Sequence, residues 1–423
     1  MPELAQVVVD VPTMQTNQPY TYQIPPKLEK QIQVGVRVIV PFGKGKRTVQ
    51  GFVVALDNAS QYEGELKPIQ AIMDLQPVIN PELMNLSKWL ADTTYSFWIS
   101  CLYTMLPNLL KAKTTRIIRI VDEVDEHVAF DIFHGRDELE MAAVQDKPAI
   151  LSELFKLQKE GKIAIEYQVE DRAKAKTVTG IRSLLNFEQL EDERASLHAN
   201  AHAQNRLLSY LQSIGSQVVK QKDAEHKTGL KAATFNQGQQ KGWLEKTPVE
   251  VYRQPLAMQG TPDDAHLTAP LQLNADQQNA VDQINQAIDN HDPKVFLLQG
   301  VTGSGKTEVY LQSIANALQQ GKTALMLVPE ISLTPQIVNR VRRRFGSKVA
   351  VLHSSLSNGE RYDEWRRIER GEAQVVVGAR SAVFAPLTNL GLIILDEEHE
   401  SSYKQDESPR YQAREVAKWR GKY

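Results

Sequence analysis

Lys294-Val295-Phe296-Leu297-Leu298-Gln299-Gly300-Val301-Thr302-Gly303-Ser304-Gly305-Lys306-Thr307 is the stretch on which the reading of the whole chain turns. From Gly300 to Thr307 it fits G-x-x-x-x-G-K-[ST] in full, between an apolar run predicted as a buried strand and a helical pattern from Glu308 to Leu318. Glycines at 300, 303 and 305 let a backbone wrap around phosphate oxygens, and the aligned N–H groups of a helix start favour negative charge. Gly300, Val301, Thr302, Gly303, Ser304, Gly305, Lys306 and Thr307 are therefore the candidate nucleotide-binding residues. Lys306 would neutralise the β- and γ-phosphates of ATP, and Thr307 would hold Mg²⁺.

A nucleotide site needs a second half, an acid at the end of a buried strand. Leu392-Ile-Ile-Leu-Asp396-Glu397-Glu398-His399 supplies it. Asp396 suits Mg²⁺ coordination through water, and Glu397 suits polarisation of the attacking water. Upstream, Leu273-Asn-Ala-Asp-Gln277 opens a helix, where both amide groups of Gln277 suit an adenine edge. Between the two motifs lie Val328-Pro329-Glu330 to Gln336, Leu352-His353-Ser354-Ser355 and Gly378-Ala-Arg380-Ser381. Each follows a predicted strand, so all should emerge on the carboxyl edge of one parallel sheet. Their hydroxyls and Arg380 suit backbone phosphates, with helix capping as the alternative use. Beyond the acid motif, Tyr403-Lys404 and Arg410-Tyr411-Gln412-Ala413-Arg414 interleave rings with cations, as stacking on bases requires, although an ordinary loop also carries such residues.

Working outward, Lys294 to Gln299, Thr323 to Val328, Val349 to His353, Ala373 to Val377 and Leu392 to Leu395 are continuous apolar runs. Strands buried on both faces look like this, and the helical stretches between them fit crossovers. A parallel sheet of five or more strands is expected over residues 271–423, after a linker at 253–270. Residues 1–108 instead carry short β-branched runs at Gln6, Tyr20, Val34 and Gln50, closed by one aromatic-rich helix from Pro81 to Tyr103. Over 115–252, Ile150, Leu154 and Leu157 share a spacing with Leu207, Leu211 and Ile214, and Gly-turned ribbons follow. Helices ending in such ribbons suggest winged-helix-like modules, serving either as DNA contacts or as spacers.

Composition bounds the rest. A chain of 423 residues implies two to four domains, and 42% hydrophobic with 24% charged residues is ordinary for a globular protein. No run approaches the roughly 20 apolar residues of a membrane span, and Met1-Pro2-Glu3 begins no secretory signal. Cys101 is the sole cysteine, which excludes an internal disulfide or a thiolate zinc site, so a reducing cytoplasm is expected. A net charge of −2 neither favours nor excludes nucleic acid, because local clusters decide. Such clusters lie at Lys44–Arg47, Lys111–Arg119, Arg172–Lys176 and Arg340–Arg344.

In combination, GVTGSGKTEVYL from Gly300, LVPEISLTPQ from Leu327, VLHSSL from Val351, GARSAVFAPL from Gly378 and ILDEEHESSYKQ from Ile394 resemble the superfamily-2 helicases. The resemblance is strongest to the PriA family of replication-restart helicases. VRVIVPFGKGKRTVQGFVVAL from Val36 and LKPIQAIMDLQPVI from Leu66 extend it to the N-terminal region. It implies a multidomain α/β chain: a small β-rich domain capturing a DNA 3′ end, a winged-helix region, and a first RecA-like motor lobe. It further implies a 3′-to-5′ ATP-dependent DNA helicase that recognises stalled forks and initiates primosome assembly. Tyr20, Tyr22, Lys67 and the loop Gly43–Arg47 would meet the 3′ end, while Arg380, Tyr403, Lys404, Arg410 and Arg414 would meet the strand in the motor. Forked and single-stranded DNA, single-strand-binding protein and primosome loaders are the implied partners.

The chain departs from the family at Thr21, where a carboxylate is common, and at Gln412, where histidine is common. It ends at Tyr423, before the second motor lobe, its arginine finger and the cysteine-rich zinc insertion that the family carries. Slow turnover and no unwinding are expected of these residues alone. Two other readings stand beside this one: a non-catalytic fork-binding fragment, and a translocase of the restriction or transcription-coupling kind. The 1–108 domain speaks against the last.

Overall fold

Leu4–Val9 (β1) alternates its side chains between two apolar surfaces, and that alternation organises the N-terminal region. The computed structural model describes residues 3–43, 47–58, 65–74, 76–111, 113–140, 143–144, 147–170, 177–198, 200–253, 267–301, 303–330, 333 and 335–423. With β2 (Tyr20–Gln23), β3 (Arg37–Pro41), β4 (Thr48–Asp57) and β5 (Ala71–Ile72), β1 forms an antiparallel sheet in the order β2-β1-β4-β3-β5. Ala5, Val7 and Val9 pack with Tyr22, Val38, Val40 and Val53 on one side. Val8 joins Phe52 on the other, against the helices that follow. Arg37 is fully buried at the start of β3 and is clasped by Asp74, with Nε to Oδ2 at 2.9 Å and NH2 to Oδ1 at 2.6 Å.

The single helix expected from Pro81 to Tyr103 is two, α1 (Pro81–Thr94) and α2 (Trp98–Thr104). Tyr95 breaks it by turning left-handed (φ 51°) and donating its N–H to the Ala91 carbonyl, which ends the α1 ladder. β6 (Lys113–Ile120), β7 (Glu138–Glu140), α3 (Pro148–Lys159) and β8 (Ile163–Glu170) follow, with an antiparallel sheet in the order β7-β6-β8. Leu154 and Leu157 of α3 are buried against Ile118, Phe133 and Ile163, as their spacing implies.

The chain divides into two compact units, Lys174–Gln254 on one hand and Met1–Ala173 with Pro255–Tyr423 on the other. The two segments that share the Ile150 and Leu207 spacing therefore fall in different units. In the smaller, β9 (Thr177–Ser183), α4 (Phe187–Ala195), α5 (His202–Ile214), β10 (Val219–Lys220), α6 (Gln221–Thr228), α7 (Ala232–Gln240) and β11 (Leu244–Glu250) enclose Leu207, Leu208, Leu211, Phe235 and Trp243. The strands run antiparallel in the order β10-β9-β11. The buried Trp243 indole donates to Glu193 Oε2 at 2.9 Å.

Beyond the linker come α8 (Ala275–Asp289), α9 (Lys306–Gln319), β12 (Thr323–Leu327), α10 (Pro335–Phe345), β13 (Val349–Leu352), α11 (Asn358–Glu369), β14 (Val375–Gly378), β15 (Leu390–Leu395) and α12 (Ala413–Lys422). Four strands run parallel in the order β13-β14-β12-β15; β12, β13 and β14 are buried as their aliphatic runs foretold, whereas β15 at the edge is mostly half-buried. The fifth expected strand is different. Lys294 to Gln299 forms no ladder, and Val295, Phe296 and Leu297 are 74%, 40% and 78% exposed. The run and β15 line a common cavity without pairing, and aliphatic character alone does not make a strand. The cluster Arg340–Arg344 is partly structural, because Arg344 pairs in the interior with Glu308 at 2.9 Å and ties α10 to α9. No helix among the described residues is long and apolar enough to cross a membrane.

Candidate nucleotide and nucleic-acid site

The turn before α9 is built for an anion. Gly303 and Gly305 hold φ of 84° and 85°, a region that side chains disfavour, and Gly305 is the N-cap of α9. No side chain caps that helix, which suits its first N–H groups to phosphate oxygens. Lys306 Nζ donates to the Gly300 carbonyl at 2.5 Å and to Val301 at 3.4 Å, so the cation is held within its own loop. Ser304 is exposed and Thr307 half-buried; Thr302 lies outside the described residues. Asn274 and Gln277 form a reciprocal cap at the start of α8, and Gln277 Nε2 donates to the Ser304 carbonyl at 2.9 Å. Both amide groups expected on an adenine edge are thus occupied: the capping bond to Asn274 N–H takes one and the loop takes the other.

Asp396 follows β15, and its N–H continues the ladder to the Leu327 carbonyl at 2.9 Å. Burial raises its carboxyl above the ordinary 3.8; Glu397 adds to this, while the Tyr310 hydroxyl and Lys306 work against it. Gly300, Lys306, Tyr310, Glu397, Glu398 and Arg414 line one cavity of about 940 Å³. Tyr310 was not among the sequence candidates, yet its hydroxyl donates to Asp396 Oδ1 at 3.2 Å. One helical turn after Lys306, it could have been found from the i,i+4 spacing. Glu397 sits left-handed (φ 45°) with an exposed side chain, which turns it out of the strand line.

The remaining candidates separate by burial. Loops after β12, β13 and β14 do share the carboxyl edge. Ser354 Oγ bonds Glu330 Oε1, Ser355 meets His353 Nδ1 at 2.6 Å, and Arg361 donates to the His353 carbonyl at 3.1 Å. Ser332 and Thr334 fall outside the described residues. Arg380 is half-buried and donates to the Ser402 carbonyl at 3.1 Å and to the Lys404 carbonyl, which staples its turn to the following loop. Tyr403 was expected to stack on bases. It is 0% exposed instead, its ring in the core and its hydroxyl donating to the Asp396 carbonyl at 2.7 Å. Lys404 and Arg410 are exposed, and Arg414 pairs with Glu398 at 2.6 Å.

In the β-rich domain, Tyr20 is half-buried, edge-on to Phe42 at 5.4 Å, and bonds the Gln15 carbonyl at 3.0 Å. Lys67 is exposed, and its Nζ reaches the Gly43 carbonyl at 2.9 Å; residues 44–46 lie outside the described set. Tyr22, a second expected contact, is 4% exposed. Its hydroxyl donates to the Pro41 carbonyl at 3.1 Å, and burial pushes its pKa up to about 12. Strand alternation decides the outcome: Tyr20 and Tyr22 share one face of β2, and Tyr22 lies deeper in the core.

Comparison with known proteins agrees with both halves of this geometry. Residues 6–107 match the PriA 3′ DNA-binding domain (3′BD), and residues 274–418 match the DEAD/DEAH box helicase family. The replication restart protein PriA of Bacillus subtilis (strain 168) is 46% identical over 417 residues, which is 98% of this chain and 51% of that protein. PriA of Synechocystis (strain PCC 6803) is 36% identical over 435 residues, 98% of this chain and 50% of that protein. PriA of Haemophilus influenzae (strain Rd) is 32% identical over 389 residues, 91% and 43%. Over almost its whole length the chain is similar to replication restart protein PriA.

It spans about half the length of these PriA relatives. Its helicase domain implies use of ATP and Mg²⁺, and the residues present fit them: an uncapped glycine turn, a lysine within it, a glutamate on the same cavity, and an aspartate bonded to the cavity-lining Tyr310. A role for Asp396 in holding Mg²⁺ would require it ionised, and burial raises its pKa. Nucleotide binding in Mg²⁺ is therefore expected to weaken on acidification sooner than an aspartate of ordinary pKa allows. Calorimetric titrations across pH, beside Asp396→Asn, check this. The nucleotide's own phosphate titration is common to both proteins. An identical decline in the two would show that Asp396 is not the titrating group.

Proposed function

We propose that this chain is the DNA- and nucleotide-engaging front of an ATP-dependent 3′-to-5′ DNA helicase that recognises stalled forks and initiates primosome assembly. One observation carries it: Lys306, Tyr310 and Glu397 line one cavity, with Asp396 bonded to the Tyr310 hydroxyl at 3.2 Å, in a chain whose residues 6–107 match a 3′ DNA-binding domain. In this reading Lys306 and Thr307 bind phosphate and metal, Asp396 holds Mg²⁺, and Glu397 orients water. Arg380, Lys404, Arg410 and Arg414 track the strand backbone. Residues 115–252 serve as a winged-helix region, in support of which α7 exposes Lys231, Asn236, Gln237 and Lys241 on or beside it and carries no carboxylate. Single-strand-binding protein and primosome loaders are the protein partners, in the cytoplasm. Steady-state ATP hydrolysis and strand displacement on forked DNA, with Lys306→Ala as control, test the reading. A chain that neither binds nucleotide nor prefers forks would overturn it.

A second reading, a non-catalytic fork-binding fragment, draws on the bond of Lys306 to its own loop. Nucleotide binding without any DNA-stimulated turnover would favour it.

Binding of a free 3′ end is expected to involve Tyr20 and Lys67. Affinity for a single strand should fall with salt, and Lys67→Ala should reduce that salt slope by about one. Tyr20→Ala should weaken binding roughly tenfold, as loss of one stacking ring does. Fluorescence anisotropy with 3′-hydroxyl and 3′-blocked strands measures both effects. Equal affinity for the two ends would refute a 3′-end pocket.

A further inference from the structure

Arg420 is buried in α12, its side chain 0% exposed. Nε donates to Glu82 Oε1 at 2.6 Å and NH2 to Oε2 at 3.0 Å, while NH1 donates to the carbonyls of Val383 (2.8 Å) and Ala385 (3.1 Å). Glu82 stands in the first turn of α1, in the β-rich half of the chain. Val383 and Ala385 close the 3₁₀ turn Arg380–Phe384 that follows β14. One planar guanidinium thereby fixes a helix of the N-terminal domain against a loop of the motor lobe. We propose that Glu82 and Arg420 are a positioning pair through which the N-terminal domain sets the Arg380 turn of the motor lobe against single-stranded DNA. The inference rests on the reading of that turn as a strand contact.

The surroundings favour position over mere adhesion. Leu83, Leu86 and Leu90 of α1 share one apolar cluster with Val383, Phe384, Val416 and Ala417. Trp89 meets Trp419 at 6.0 Å, and the Ser96 and Ser408 hydroxyls lie 3.1 Å apart. Apolar packing of this extent already holds the two halves together, so a leucine would serve at 420 if adhesion were the whole purpose. Four directional bonds do something else, which is to fix the height of the 383–385 carbonyls relative to α1. At the front of the same turn, Arg380 is bonded to the carbonyls of Ser402 and Lys404. A displaced turn therefore moves Arg380 and the Lys404 loop together. Close-packed interiors pass such displacements on rather than absorbing them.

The test is a double-mutant cycle on the full 423-residue chain, with a circular single strand as probe. A circle has no 3′ end, so its binding does not report on the end pocket. Glu82→Gln removes the charge and keeps the shape, and Arg380→Ala removes the strand contact. Expected are a loss of about fivefold for Glu82→Gln in the native background, and less than about twofold once Arg380 is already alanine. Lowered thermal midpoints should appear equally in both backgrounds. Effects that multiply, or an unchanged affinity for Glu82→Gln, overturn the proposal. Should Arg380→Ala alone leave affinity unchanged, the reading of the turn as a strand contact fails, and the proposal with it. If Glu82→Gln does not fold, Arg420→Lys, which keeps the buried charge but cannot bridge both partners, replaces it in the cycle.

Discussion

ATP hydrolysis by these 423 residues alone is expected to run about 10³- to 10⁵-fold below that of full-length PriA, the range that an arginine finger is typically worth. Under the proposed function, Lys306, Thr307, Asp396 and Glu397 would provide partners for phosphate, metal and water. What the transition state adds is negative charge on the γ-phosphoryl oxygens, and that charge needs a further cation. Among the described residues lining the cavity the arginine is Arg414, already paired with Glu398 at 2.6 Å. Arg380 does not line it, and its NH1 donates to the carbonyls of Ser402 and Lys404. Steady-state turnover with and without forked DNA, beside Lys306→Ala and a full-length relative, measures the gap. Turnover of the 423 residues equal to that of the full-length protein would send the search for a catalytic arginine back to Arg414, Arg380 and Arg410.

Asp74→Ala is expected to cost about 3–5 kcal/mol of stability, as removal of one member of a buried ion pair does. Arg37 has no exposed surface, and Asp74 receives its Nε and NH2 as well as its backbone N–H at 2.9 Å. Without the carboxylate a guanidinium stays in the interior with its principal counter-charge gone. Arg37 also donates to the Leu110 carbonyl, so the strain should reach the chain leaving the β-rich domain. Replacing both residues, as Arg37→Met with Asp74→Leu, should recover most of the loss, because a well-packed apolar pair avoids the desolvation of both charges. Urea unfolding of the three proteins is the measurement. A loss below about 1 kcal/mol for Asp74→Ala would mean that water reaches the pair.

What the sequence determined by itself was whatever depends on neighbours along the chain. The glycines of the turn before α9 and the lysine after them occupy fixed spacings, and the aliphatic runs of β12 to β14 declare burial on both faces. The acid motif follows its strand, and Asn274 to Gln277 spells its own cap. Each of these rests on local periodicity or on bonds spanning three or four residues. The tertiary structure decided everything that depends on partners far away. Lys294 to Gln299 has the composition of a core strand but no ladder, because backbone bonds require an adjacent strand and composition cannot place one. Tyr22 and Tyr403 look like Tyr20 in sequence, yet both are buried, since their depth is set by Pro41 and Asp396 across the fold. Arg420 lies 338 positions from Glu82 and belongs to no motif, and only the packing of α1 on α12 brings the two within 2.6 Å. Local chemistry is written residue by residue; burial and long-range pairing come into being only when the chain closes on itself.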